Sequence, residues 1–268
     1  MAKGLNRVYL IGSVTQTPEL RYTPGGLAVL EVTVAGNDQI VDEAGTPREL
    51  AWYHRVKMFG RYAELFADQL AAGTPVFVEG RLDYRSWEAE GGRRSALDVR
   101  VDRIEPLNPE GKGADLTVTD ARGQERLRAG LNQVTLIGNL TRDPELRYTP
   151  QGTAVTRMGL AVNERFSTRA GEQEKTHFVE VQAWRDLAEW AASLKKGDGV
   201  LVIGRLVNDS WTTQTGERRF ITRVEAQRLE RLTRGPGGGG TGSQMAQTGG
   251  VDIDEGLEDF PPEEDLPF

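Results

Sequence analysis

One stretch of this chain is written twice. LNRVYLIGSVTQTPELRYTPGGLAV starts at Leu5 and LNQVTLIGNLTRDPELRYTPQGTAV at Leu131, an offset of 126 residues with 17 of 25 positions identical. Solenoid modules recur every ~20–50 residues. A period of 126 residues is that of a whole domain. The chain therefore carries one small domain in two copies, and any surface used for function exists twice.

Each copy reads as short strands with one helix. In the first, Arg7–Gly12, Ala28–Ala35, Trp52–Phe59, Pro75–Tyr84 and Ser95–Ile104 are apolar or alternate with period two. Between the third and fourth of these lies RYAELFADQLAAG, which places Tyr62, Leu65, Phe66, Gln69 and Leu70 on one helical face, with Gly73 as a C-cap. The second copy has RDLAEWAASLKKG. There Asp186 and Glu189 suit a capping box, Trp190 joins Leu187 and Leu194 on the apolar face, and Lys195 and Lys196 fill the last turn. Gly12 and Gly138 follow the first strand, where a barrel strand bends sharply.

Five strands with a helix between the third and fourth is the element order of the OB-fold, a small Greek-key barrel. The expected architecture is mainly β. An N-terminal OB-fold spans 1–106, a linker 107–128, a C-terminal OB-fold 129–233, and a Gly-rich segment with an acidic tail 234–268. The tail holds too little apolar surface to fold alone, so disorder is expected there.

Net charge is −7, but it is unevenly placed. From Gly235 onward there is no Lys or Arg, and the acids are Asp252, Asp254, Glu255, Glu258, Asp259, Glu263, Glu264 and Asp265. The remainder carries 33 basic against 32 acidic residues. Bulk charge does not make this body a polyanion binder; any nucleic-acid binding must come from placement on one face. There are no cysteines, which excludes disulfides and thiolate zinc sites. His54 and His177, one per copy, do not suffice for a multi-histidine metal site. The acids are scattered and the copies share no acidic pair suited to a metal, so neither an enzyme nor a cofactor is expected. No apolar run approaches the ~20 residues that span a bilayer, and the start lacks a signal peptide's core. A soluble cytoplasmic protein is the expectation.

The third strand of the first copy sends Tyr53, Arg55, Lys57 and Phe59 one way and Trp52, His54, Val56 and Met58 the other. Two rings flanking two cations form a platform on which bases stack while cations meet phosphates. Such stacking contributes about 1–3 kcal/mol per base, a figure measured on single-strand binders built from OB-folds. A face covered by a loop or a neighbouring subunit would show the same pattern. The next strand and hairpin add Arg81, Tyr84, Arg85 and Trp87, with Arg93 and Arg94 opposite. The second copy has Arg205, Trp211, Arg218 and Arg219 in that region. A Trp kept in both polar hairpins is poorly explained by core filling, although packing on the barrel rim is open to it. On the third strand of the second copy, Phe178, Glu180, Gln182 and Trp184 keep the rings and lose the cations, and Phe166 sits in the preceding loop. That copy is expected to stack more and attract phosphate less along this strand.

These residues carry a resemblance. LNxVxLIG, PELRYTP, YHRVKMFG, VxVEGRL, the hairpin Trp and the terminal EEDLPF resemble the bacterial single-stranded DNA-binding protein (SSB) family, in the form with two OB-folds per chain. The resemblance covers both copies and the tail. It implies sequence-independent binding and protection of single-stranded DNA in replication, recombination and repair, without catalysis. It implies that Tyr53, Phe59 and Trp87, and in the second copy Phe166, Phe178, Trp184 and Trp211, stack on bases. His54 matches a position linked to subunit contacts, where the second copy has Val179. A homodimer of four OB-folds is implied, in a cytoplasmic, nucleoid-associated protein. Glu263, Glu264, Asp265, Leu266, Pro267 and Phe268 would dock into partner proteins.

Overall fold

The computed structural model describes residues 4–41, 46–89, 92–107, 117–119, 123, 125–168, 171–212 and 218–232. The acidic tail, with Glu263–Phe268, lies outside them. The first copy runs β1 (Leu5–Val14), β2 (Leu20–Tyr22), β3 (Ala28–Val41), β4 (Pro47–Phe59), α1 (Arg61–Ala67), β5 (Pro75–Ala89) and β6 (Gly92–Pro106). β1 pairs with β5, β5 with β6, β6 with β4, β4 with β3, and β3 returns to β1 through Ser13↔Ala35 and Val14↔Val34. Five strands thus close on themselves, and the short β2 is an edge strand on β3 that alternation did not reveal. All links are antiparallel except β4–β6, where Val56 faces Val99.

After β7 (Thr117–Thr119) and β8 (Glu125–Leu127), the second copy repeats the plan. It runs β9 (Leu131–Leu140), β10 (Glu145–Tyr148), β11 (Ala154–Thr168), β12 (Gly171–Trp184), α2 (Arg185–Ala191), β13 (Gly199–Thr212) and β14 (Arg218–Leu232). Its parallel link is Val181↔Val224. The chain is mainly β and forms two tandem OB-folds. Part of the expected linker is structured: β7 and β8 pair, and Leu127 is buried.

Period-two alternation put the apolar residues inside. Val8, Leu10, Leu30, Val32, Val56, Met58, Val78, Leu82 and Val99 line the first barrel, all buried. Burying a side chain of this size stabilises by about 1.5–3 kcal/mol. Gly12 and Gly138 lie within their strands, at the barrel closure rather than after it. A Cβ there would come within 2.6 Å of the Ala35 carbonyl oxygen and 2.5 Å of that of Ala161.

The helices differ from expectation. α1 ends at Ala67, and Gly73, at φ 85°, instead delivers the chain into β5 with its N–H on the Val14 carbonyl. Leu65 faces solvent; the buried residues are Ala63, Phe66 and Leu70. No capping box forms in the second copy. β12 runs straight into α2, so Trp184 is the N-cap and Asp186 falls inside the first turn. Trp190 is 39% exposed rather than core, because Ala188 and Ala191 present the helix's inner face.

The two barrels are fused edge to edge. β1 pairs antiparallel with β9, from Leu5↔Ile137 to Ile11↔Leu131, centred on Val8↔Val134. Val8 and Val134 are equivalent in the two copies, so a local two-fold axis passes between them. An isologous interface of this kind is ordinarily made by two separate subunits. Polar groups line the seam in mirrored pairs. Asn6 brackets the backbone of Leu82 at 2.8 and 2.9 Å, and Asn132 that of Leu206 at 2.9 and 3.0 Å. Arg205 pairs with Glu225 at 2.7 Å and Asp38 at 3.4 Å; Arg81 pairs with Asp102 at 3.1 Å and with Glu164.

Both histidines sit in this seam. His54 stacks on Trp52 (5.3 Å) and lies between the amides of Asn132 (3.1 Å) and Asn208 (3.2 Å). His177 accepts the Tyr84 amide N–H at 3.2 Å and stands 3.1 Å from a Glu164 oxygen. Burial holds the imidazoles neutral, lowering His54 to about 3 and His177, with help from Lys175, to about 4.

Two measurements follow. An unfolded histidine titrates near 6.5, so below that pH the unfolded chain binds more protons than the native one. Stability should fall between pH ~6.5 and 5 by up to about 1.4 kcal/mol per pH unit per histidine, read from urea midpoints. Gly60, entering α1, has φ 62° and ψ −147°, a region open only to glycine, yet space surrounds it. Gly60→Ala should cost about 1–3 kcal/mol of unfolding free energy through backbone strain alone.

Candidate nucleic-acid interface

In the first barrel β4 carries the ring-and-cation face. Trp52, His54, Val56 and Met58 are buried, whereas Tyr53, Lys57 and Phe59 are half-buried and Arg55 is exposed. The cations stand over two acids. Arg55 and Lys57 reach Glu31 at 3.3 and 3.4 Å, Lys57 reaches Asp98 at 3.1 Å, and Arg85 pairs with the same Asp98. Arg100 lies 5.3 Å over the Phe59 ring, a cation–π contact that fixes the ring from the adjacent strand. Trp87, on the far arm of β5, is 47% exposed, unusual for so large an apolar ring.

The expected residues do not all share this face. Arg81 and Arg205 are drawn into the seam, each held between two carboxylates. Tyr84 crosses the seam and meets Phe178 edge-on, centroids 5.5 Å apart and rings at 89°. The pair joins the ring face of one barrel to that of the other. Phe166 opposes Gln173 in the β11–β12 hairpin, and Trp211 opposes Arg219 and Thr212 opposes Arg218 in the β13–β14 hairpin. Their side chains lie outside what the structure describes, as do those of Arg93 and Arg94.

The second barrel inverts the charges. Strand pairing gives the equivalences: Lys57 faces Arg100 where Gln182 faces Glu225, and Glu31 faces Lys57 where Arg157 faces Gln182. Arg55 becomes Glu180, Arg85 becomes Asp209, Glu31 becomes Arg157 and Asp98 becomes Arg223. The cations absent from β12 have moved to β11 and β14, beside it. Arg223 is buried, with Nη2 2.6 Å from Asp209, Nη1 donating to Gln182 at 2.8 Å and Nε 3.6 Å from Glu180. Burial raises the Glu180 carboxyl above its ordinary range, more than Arg223, Arg157 and Arg142 lower it. The expected absence of cations is thus a feature of β12 alone, since Arg157 and Arg223 stand beside it on the neighbouring strands. Reading one strand at a time missed Arg142, Arg157 and Arg223. Aligning the copies shows the sign changes, but only the register puts Arg157 beside Gln182.

Two clefts open on this side. One, of about 420 Å³, lies between the barrels and is lined by Tyr53, Arg55, Tyr84, Phe178, Glu180 and Asn208. A second, of about 1440 Å³, runs over the second barrel past Trp184, Tyr148, Arg157, Arg185 and Arg223. Tyr53, His54, Leu206 and Asn208 line both, and the Asn208 amide donates to the Tyr53 carbonyl at 2.6 Å where they meet. The two clefts thus meet as one furrow, which carries Tyr53, Tyr84, Phe178, Trp184 and Tyr148 together with Arg55, Arg142, Arg157 and Arg223. Among the described residues no cluster of three potential metal ligands occurs, and no helix is long and apolar enough to cross a membrane.

The model of the single-strand binding protein family matches residues 5–107 and 131–232. The chain belongs to this family. A Thermus thermophilus protein named "Single-stranded DNA-binding protein" is 66% identical over 269 residues, covering all of both chains. A Deinococcus radiodurans protein of the same name is 46% identical over 305 residues, again covering both chains fully. The crystal structure of the wild-type single-stranded DNA binding protein from Thermus aquaticus superposes with a TM-score of 0.70 at 54% identity, covering 89% of this chain and 98% of that one.

Proposed function

We propose that this chain binds single-stranded DNA without sequence preference and protects it during replication, recombination and repair, without catalysing a reaction. The observation that carries this reading is the furrow. Tyr53, Tyr84 and Phe178 at the seam and Trp184 on the second barrel line the furrow with arginines beside them, and Phe59 and Trp87 lie outside it on the first barrel. Rings spaced along a groove accept unpaired bases of any kind, because every base has a π-face. Duplex DNA hides those faces. Family membership and the relatives' names support the same conclusion. Arg55, Lys57 and Arg85 serve as phosphate contacts, and Phe166, Trp211, Arg218 and Arg219 extend the path along the outer hairpins. Arg81 and Arg205 act from the seam, positioning the barrels.

The chain acts as a homodimer of four barrels, in the cytoplasm at the nucleoid. The sheet β6-β5-β1-β9-β13-β14 turns one face outward, away from both cores, and half-buried Tyr9, Ile11, Phe77, Ile137, Leu201 and Ile203 stand on it. A second copy covering that apolar band would remove it from water. Glu263–Phe268 recruits partner proteins of replication and repair, its apolar end and acids suiting a basic-rimmed pocket.

Titration with oligo(dT) and with duplex of equal length should show a strong preference for the single strand. Affinity should fall with salt at a slope near −0.7 per phosphate neutralised. Trp87→Ala should weaken binding by about 1–3 kcal/mol; unchanged affinity would remove Trp87 from the path. Deleting residues 235–268 should tighten DNA binding, because eight acids then cease to compete with phosphate, and should abolish capture of partner proteins.

A further inference from the structure

The charge inversion leaves one group without a satisfactory partner. The Glu180 side chain is 8% exposed, and Arg223 Nε stands 3.6 Å from its carboxylate, beyond hydrogen-bond distance. Neither Glu180 carboxylate oxygen nor Arg223 Nε has a hydrogen bond. A buried ion pair stabilises only when close geometry and further hydrogen bonds repay its desolvation. Here they do not, so the native state holds a carboxylate at a cost. The charges facing it come from every neighbouring element. Arg223 lies on β14, Arg157 on β11 and Arg142 between β9 and β10; the opposing acid, Asp209, lies on β13. Glu180 lines the cleft between the barrels, while Arg157 and Arg223 line the adjoining groove. It therefore sits where a phosphate of a bound strand would seek these arginines.

We propose that Glu180 is an internal substitute for DNA phosphate, which surrenders the arginines of the second barrel and takes up a proton when a single strand occupies that barrel. The inference rests on the single-strand-binding reading above. An incoming phosphate adds negative charge beside a carboxylate that burial already disfavours, and protonation removes the repulsion. The neutral carboxyl then carries an O–H that can donate to phosphate. The first barrel has exposed Arg55 at this position and no such linkage. Binding at the second barrel is therefore tunable by pH while the first remains indifferent. The sign follows from linkage: the bound state holds the proton more tightly, so affinity rises as pH falls, at most about tenfold per pH unit for one proton.

The test is calorimetric titration of the full chain with oligo(dT) in two buffers of different ionisation enthalpy, beside Glu180→Gln. Wild type should take up protons on binding, at pH values above the ordinary carboxylate range, because burial already raises the Glu180 carboxyl and an added phosphate raises it further. Glu180→Gln, which cannot titrate, should take up fewer, bind several-fold tighter at pH ~8 and show a flatter pH profile. Infrared difference spectra of the wild-type complex should gain a protonated-carboxyl band, a readout that needs no variant. Zero uptake by wild type, equal uptake in the variant, or weaker binding by a variant with native melting would overturn the role of Glu180. In those cases oligo(dT) still binds; a chain that does not bind oligo(dT) at all would instead fail the single-strand reading itself.

Discussion

The antiparallel pairing of β1 with β9 is the contact from which the rest follows. Without it the two copies would be independent barrels on a tether, each with a short ring face. With it, a continuous sheet crosses the molecule, and the ring faces meet at Tyr84 and Phe178. Val8 and Val134 sit at the centre because they are equivalent, so the pairing uses the same hydrogen-bonding edge twice. Closing the edges of β1 and β9 against each other also removes two exposed templates for aggregation. The buried histidines, the bracketing asparagines and the two arginines between carboxylates lie around this pairing. Their mutual hydrogen bonds and ion pairs across the seam favour this one register.

Duplication within a chain releases the copies from identity. A symmetric homodimer must place the same residue at both sides of its axis; here each side evolves alone. The seam shows it. Trp52 and His54 fill one side, while on the other His177 stands in the position of Trp52 and Val179 in that of His54. The ring-bearing face shows it more strongly, because nearly every charge in the cluster around β4 changes sign in the cluster around β12. Inversion of both members of a pair preserves the attraction while moving the cation from one strand to its neighbour. The two barrels thus hold their cations at different depths: Arg55 and Arg85 exposed on β4 and β5 in one, Arg223 buried on β14 in the other. The rings, unlike the charges, stay in place: Tyr53 is matched by Phe178 and Phe59 by Trp184.

Much of this was legible beforehand, and the physical reason is periodicity. Alternation along Trp52–Phe59 assigned every side chain of that strand to the correct face, because a strand with one wet side must alternate. The repeat told the number of domains, and the element order gave the barrel. What escaped depended on contacts distant in sequence. β2 is three residues long and has no pattern to display. Trp190 reads as core on a helical wheel, yet the smaller Ala188 and Ala191 bring the helix close enough that the indole is left outside. Arg81 and Arg205 look like part of a basic face until Asp102, Glu164, Asp38 and Glu225 arrive beside them from other strands.

The amino-acid sequence alone determined that there are two barrels of one kind, which residues of each strand face inward, and that rings and cations share an outer face. Those properties are local, set by chemical type and spacing along one segment. Only the tertiary structure decided which edges fuse, that the two ring faces form one furrow, and that the cations missing from β12 reappear beside it on β11 and β14. The reason is that electrostatic pairing falls off over a few ångströms, and which charges stand within that reach is fixed by strand register between segments far apart in the chain.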